Sequence, residues 1–161
     1  MYERSRPFTV EWLTAEGFTG FTAFRNLQHA SIPKSGGIYV IVRTDERMPG
    51  FLATSPAGRF KDKDPSADPA VLTSHWIADS AVIYIGKATN LVARPRQYRD
   101  FGAGKPVGHQ GGRYIWQLEG AHDHVVFWKP TPDSDPRAEE ETLLARFIEV
   151  HGRLPFANLS R

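Results

Sequence analysis

The sequence predicts an α+β fold: a small central sheet of three strands flanked by helices, with an insertion between the first two strands. Three observations predict it. Three short β-branched and aromatic runs, "GGIYVIV", "SAVIYIG" and "HVVFWKP", each end at or beside glycine or proline. The stretch "SDPRAEEETLLARFIEVHG" has helical spacing and signals at both helix ends. About forty residues with four prolines separate the first two runs. At 161 residues the chain suits one domain, 1–161, with 1–30 as an N-terminal extension and 44–80 as the insertion.

Taken in order, "VEWLTAEGFTGF" predicts a short helix followed by an irregular link. Residues 36–43 form the first strand, bounded by "PKSGG". Residues 44–80 carry Pro49, Pro56, Pro65 and Pro69 among mixed charges, and "LTSHWIA" is the candidate for a small element there. The continuous apolar run of "SAVIYIG" suits a second strand covered on both faces. A helix near 90–101 follows, then the glycine-rich loop "FGAGKPVGHQGGR" and the third strand at 124–130. In the last helix Asp135 caps, Pro136 suits the first helical position and Gly152 ends it.

Composition sets bounds. Hydrophobic residues make up 40% and charged residues 24%, ordinary values for a globular protein. The chain contains no cysteine, which excludes disulfides, thiolate zinc sites and cysteine nucleophiles and fits a reducing cytoplasm. No apolar signal core opens the sequence and no run approaches a membrane span, so a cytoplasmic protein with no membrane partner is expected. The net charge is only +2, yet Lys87, Arg94, Arg96, Arg99, Lys105 and Arg113 stand against a single acid, Asp100. A strand needs no such cluster for its stability, whereas a polyanion held at the strand end would. A solvated helix surface is the plainer reading of the same charges.

The last helix holds an anomaly. Leu143, Leu144, Phe147, Ile148 and His151 form one stripe, and Glu140 leads it, one turn ahead. Glu139 and Glu141 point roughly 100° to either side. Acids in a first turn favour the helix dipole, which accounts for three of them but not for one aimed at the sheet. A carboxylate aimed at a core needs a partner, a hydrogen bond or a metal.

These pieces combine. Gly37-Ile38-Tyr39 and Tyr84-Ile85-Gly86 resemble the two signature strands of the GIY-YIG nuclease superfamily. Arg94, eight residues past the second glycine, resembles the family's helix arginine. Lys87 is similar to that of repair-type members, and Tyr98 to an accessory tyrosine. Glu140-x-x-Leu143-Leu144 resembles the helix glutamate motif, with Glu141 as the alternative, and Asn158 in "PFAN" resembles the family's late asparagine. The resemblance spans roughly residues 35–161. It implies an antiparallel three-stranded sheet and a metal-dependent DNA endonuclease. Pro95 would cost a hydrogen bond inside a helix, so the helix is expected to begin later than in relatives.

The resemblance also implies roles. Glu140 would hold one divalent cation, Mg²⁺ or Mn²⁺. Arg94 would clamp the scissile phosphate with its forked guanidinium. Tyr39 or Tyr84 would orient or deprotonate the attacking water, with Tyr39 favoured as the base. Lys87 would lower that phenol's pKa or touch the phosphate, and Asn158 would brace the site. Arg96, Tyr98, Arg99, Lys105, His109 and Arg113 are the candidate nucleic-acid contacts. His109 lies in a glycine-rich stretch whose backbone N–H groups can approach phosphates, although a plain surface loop reads equally well.

A Walker loop fails, because Ala81 and Ala88 stand where it needs glycine and a hydroxyl. "HDH" at 122–124 has no third ligand near in sequence. A catalytically silent nucleic-acid-binding module is the alternative function, and a protein-interaction domain built on the 44–80 insertion is a weaker one. The sequence does not choose between duplex and single-stranded DNA. Sequence preference has to come from the insertion, from a homodimer, or be slight.

Overall fold

The computed structural model of the chain describes residues 6–59, 61–107 and 109–159. Four strands form one antiparallel sheet: β1 (Thr19–Ala23), β2 (Gly37–Val42), β3 (Val82–Ala88) and β4 (Val125–Pro130). Their order is β1-β4-β2-β3. The fold is α+β, but the sheet has four strands where the sequence predicted three. The extra strand is β1, in the segment expected to be an irregular link. It pairs with β4 through an irregular register, and Gly20 and Phe21 both have positive φ, 114° and 48°. Such a bulged edge strand carries no clean alternation.

The helices are α1 (Val10–Ala15), α2 (Pro69–His75), α3 (Arg94–Gly102) and α4 (Pro136–His151), with short 3₁₀ segments at 24–29, 110–117 and 121–123. α3 starts at Arg94, four residues later than the 90–101 expected from the sequence, with Pro95 in its first turn. In the first turn a proline gives up an N–H that has no partner within the helix. The glycine-rich stretch is not all loop: from Gln110 it is 3₁₀-helical, while Gly108 lies outside the described residues. α4 forms as its sequence dictates. The Asp135 side chain accepts from Arg137 N at 3.1 Å, and Gly152 ends the helix at φ 79°.

The sheet is covered on both faces. On one, Ile38, Val40 and Ile85 meet Leu143, Leu144 and Phe147 of α4 and Trp12 and Leu13 of α1. On the other, Tyr39, Ile41 and Ile83 meet Tyr98 and Phe101 of α3, with Trp116 and Phe156. β2 is central and wholly buried. β3 is an edge strand, and that edge carries the site.

The 44–80 insertion is tied down. Its element is α2, and a buried glutamine of the 110–117 segment holds the rest. Gln117 Oε1 accepts from Ala67 N at 2.8 Å, and its Nε2 donates to Leu52 O at 2.8 Å and Ala67 O at 2.6 Å. Among the described residues, no helix is long and apolar enough to cross a membrane.

Candidate functional site

The register of β2 on β3 sets Tyr39 opposite Gly86 and Ile41 opposite Tyr84. Gly86 is required there: a Cβ on it would lie 2.5 Å from Cζ of Tyr39. The Tyr39 ring therefore lies across Gly86, and its hydroxyl is 2.9 Å from Nε2 of His109. The His109 ring stacks on Tyr98 at 3.7 Å and 5°. Tyr98 donates its hydroxyl hydrogen to the Gly112 carbonyl. Tyr84 completes the cluster, with its ring 6.0 Å from Tyr39 and 5.3 Å from Tyr98.

Burial sets the protonation of these groups. It raises the Tyr39 phenol well above its ordinary value, Tyr84 adds to the effect, and Arg94 opposes it. Burial also pushes Tyr84 up to about 12, against Arg94 and Tyr39, which both lower it. His109 is pushed down to about 3 by burial and then by Arg94. At neutral pH both phenols are protonated and the imidazole is neutral.

Across the edge, Lys87 is on the opposite face of β3 from the tyrosines and meets Glu140 of α4. Nζ and Oε1 are 3.6 Å apart, and the Glu140 side chain is only 12% exposed. Burial raises the Glu140 pKa, with Lys87 pulling it back. Glu141 points outward, 57% exposed, and pairs with Arg137 at 3.2 Å. Of the two acids, Glu140 therefore faces the sheet. No group of three or more His, Asp or Glu among the described residues is arranged to hold a metal ion. A lone, partly desolvated carboxylate beside solvent still fits Mg²⁺ or Mn²⁺, since Mg²⁺ keeps most of its water and binds through one or two carboxylates.

Asn158 closes the open edge of β3. Its Oδ1 accepts from Ile85 N at 2.9 Å and its Nδ2 donates to Ile85 O at 2.8 Å, while Ala157 N donates to Ile83 O at 2.9 Å. The side-chain amide takes the place of a neighbouring strand, which satisfies the edge and fixes β3 between Tyr84 and Lys87.

The remaining candidates scatter. Arg94 opens α3, and its charge is felt by Tyr39, Tyr84, Tyr98 and His109. Tyr98 and His109, expected as nucleic-acid contacts, are 0% and 2% exposed. They are interior residues that position Tyr39. Arg99 and Lys105 both pair with Asp100, at 3.2 and 3.7 Å. Arg96 is half-buried and Arg113 lies over the Tyr114 ring. His122 packs on Trp116, while His124 is buried with both ring nitrogens unpartnered. One residue that the sequence reading missed lies beside the site: Arg137, which lines a cleft together with Lys87 and Arg94. Its signal was its position, one turn ahead of Glu140–Glu141 in the first turn of α4.

The chain was compared with known proteins. It matches no family model, no curated protein and no solved structure.

Proposed function

We propose that the protein is a metal-dependent DNA endonuclease of GIY-YIG type that hydrolyses phosphodiester bonds at the β3 edge. One observation carries this reading: at the β3 edge, three residues past Tyr84, Lys87 lies 3.6 Å from Glu140 of α4 and lines one cleft with Arg94 of α3. A phenol, a guanidinium and a carboxylate thus share one strand end, from α3, α4 and β3. Phosphodiester hydrolysis needs a positioned water, a cation on the phosphate and help for the leaving oxygen.

In this reading the Arg94 fork holds the scissile phosphate. Lys87 neutralises charge beside it and releases Glu140 from their ion pair. Tyr84 is the half-buried phenol, and its pKa is the less strongly raised of the two. It is therefore better placed than Tyr39 to meet a water. A phenol at about 12 is protonated at neutral pH, so Tyr84 orients the water as a hydrogen-bond partner. Tyr39, held by His109, backs it, and Asn158 keeps β3 in line. A divalent cation on Glu140 would supply Lewis-acid stabilisation of phosphate charge.

The Lys87–Glu140 ion pair and two protonated phenols also suit a catalytically silent nucleic-acid-binding module, which is the second reading. Glu140→Gln separates the two. It should abolish cleavage while DNA affinity stays within a few-fold, and Glu141→Gln should cleave normally. Cleavage by Glu140→Gln at the wild-type rate would remove Glu140 as the cation ligand, and a wild-type chain that binds DNA without cutting it would leave the binding module.

A further inference from the structure

A cleft of about 410 Å³ opens beside the site, between the β3–α3 turn and the start of α4. Three cations from three elements line it: Lys87, Arg94 and Arg137. The acid on its wall, Asp135, is engaged in capping α4 through its bond from Arg137 N. The rest of the lining is mostly apolar surface from Ala88, Ala93 and Pro136, with Thr89, Asn90 and Gln97 beside it. Arg137 is 72% exposed on its side chain, and Glu141 fixes its Nε at 3.2 Å. That bond occupies one of the five guanidinium N–H donors and leaves the terminal four for a ligand.

Cations beside apolar surface in a cleft of this size match a nucleotide, which has an anionic phosphate and a base with a flat apolar face and polar edges. We propose that this cleft is a mononucleotide-sized subsite flanking the scissile phosphate, with Arg137 as its phosphate contact opposite Lys87 and Arg94. The subsite deepens the nuclease reading, because it says where the nucleotide next to the cut bond rests. Arg137 lines the cleft while its Nε is held by Glu141, and its planar, forked guanidinium can meet a phosphate through two donors at once, which lysine does not reproduce.

The test is calorimetric titration of the full chain, without metal, with a deoxynucleoside 5′-monophosphate and separately with inorganic phosphate. The mononucleotide should bind more tightly than phosphate. Arg137→Gln should weaken mononucleotide binding about tenfold, in line with loss of a charge-assisted contact. Arg137→Lys should fall between the two. Arg146→Gln, an exposed arginine paired with Glu16 away from the cleft, should change nothing. Wild-type affinity in Arg137→Gln overturns the proposal, and so does phosphate binding as tightly as the mononucleotide. If the wild-type protein cleaves DNA but takes up no mononucleotide, the subsite fails and the nuclease reading stands. If the mononucleotide binds through Arg137 but no DNA is cut under any condition, the subsite stands and the nuclease reading fails.

Discussion

The two faces of the sheet are built for different purposes. The face under α1 and α4 is apolar at its centre, where Ile38, Val40, Ile85, Leu13, Leu144 and Phe147 meet, with His151 packed on Phe147 and the Lys87–Glu140 pair at its margin. The face under α3 buries Tyr39, Tyr98, His109 and Trp116. His109 Nδ1 and Trp116 Nε1 are buried there without a partner. Buried polar atoms left unpaired cost stability. The first face stabilises the fold, and the second gives up part of that stability to fix a phenol and an imidazole against β3. Function is expected to draw on the second face for its phenols and on the Lys87–Glu140 pair at the margin of the first, while the apolar interior of the first sets stability.

The largest expected effect tests the plain face. Leu13→Ala empties a site that is 0% exposed and should cost about 2–5 kcal/mol in urea unfolding. Cleavage per folded molecule should not change. A rate that falls in parallel would mean that this face also shapes the site.

Next comes the functional face. Tyr84→Phe should slow the cleavage step by roughly a hundredfold, as expected for loss of a positioned water contact. Tyr39→Phe should slow it less but lower stability by about 1–3 kcal/mol, because His109 loses its buried partner. Single-turnover rates and denaturation curves separate the two. A dead Tyr39→Phe beside an active Tyr84→Phe would return the base assignment to the first signature tyrosine.

Gly86→Ala tests the contact between the strands. A methyl group 2.5 Å from Tyr39 Cζ must push the ring away, at a cost of about 1–3 kcal/mol. The shift should also break the Tyr39–His109 hydrogen bond, visible in the His109 imidazole resonances. Unchanged resonances would show that the ring does not depend on the glycine.

The last test is in pH. His109 and His124 are held neutral by burial, at about 3 and about 4, against 6.5 when unfolded. Their folded values are depressed, so the unfolded chain binds protons first. The stability they contribute is complete above pH 6.5 and declines as pH falls toward 3–4. Each histidine steepens the loss by about 1.4 kcal/mol per pH unit. His124→Gln should reduce the slope between pH 6 and 4.5 by one proton. An unchanged slope would mean that His124 is solvated in the folded protein.

Much of this was legible in the sequence. α4 was readable from Asp135, Pro136 and Gly152, and Glu140 from its place ahead of the apolar stripe, because both rest on local geometry. β2, β3 and β4 were readable from apolar runs. β1 was not: in "TGFTA" two residues at positive φ break the alternation, and its partner β4 lies a hundred residues away. The burial of His109 and Tyr98 was also hidden, since a glycine-rich basic stretch reads as surface until α3 folds back over the tyrosines. Gln117, which holds the insertion, looks like any polar residue between Trp116 and Leu118. Arg137 was missed because its cleft exists only once α4 packs beside the end of β3.

The most direct measurement is cleavage itself. The full chain is incubated with supercoiled plasmid and with a labelled single strand, in Mg²⁺, in Mn²⁺ and in EDTA. The account expects cut products with either cation, none in EDTA, and recovery when the cation is restored. Cutting that persists undiminished in EDTA would contradict the assignment of Glu140 as a cation ligand. Tight DNA binding with no cutting under any of these conditions would contradict the nuclease itself and leave a binding module in its place.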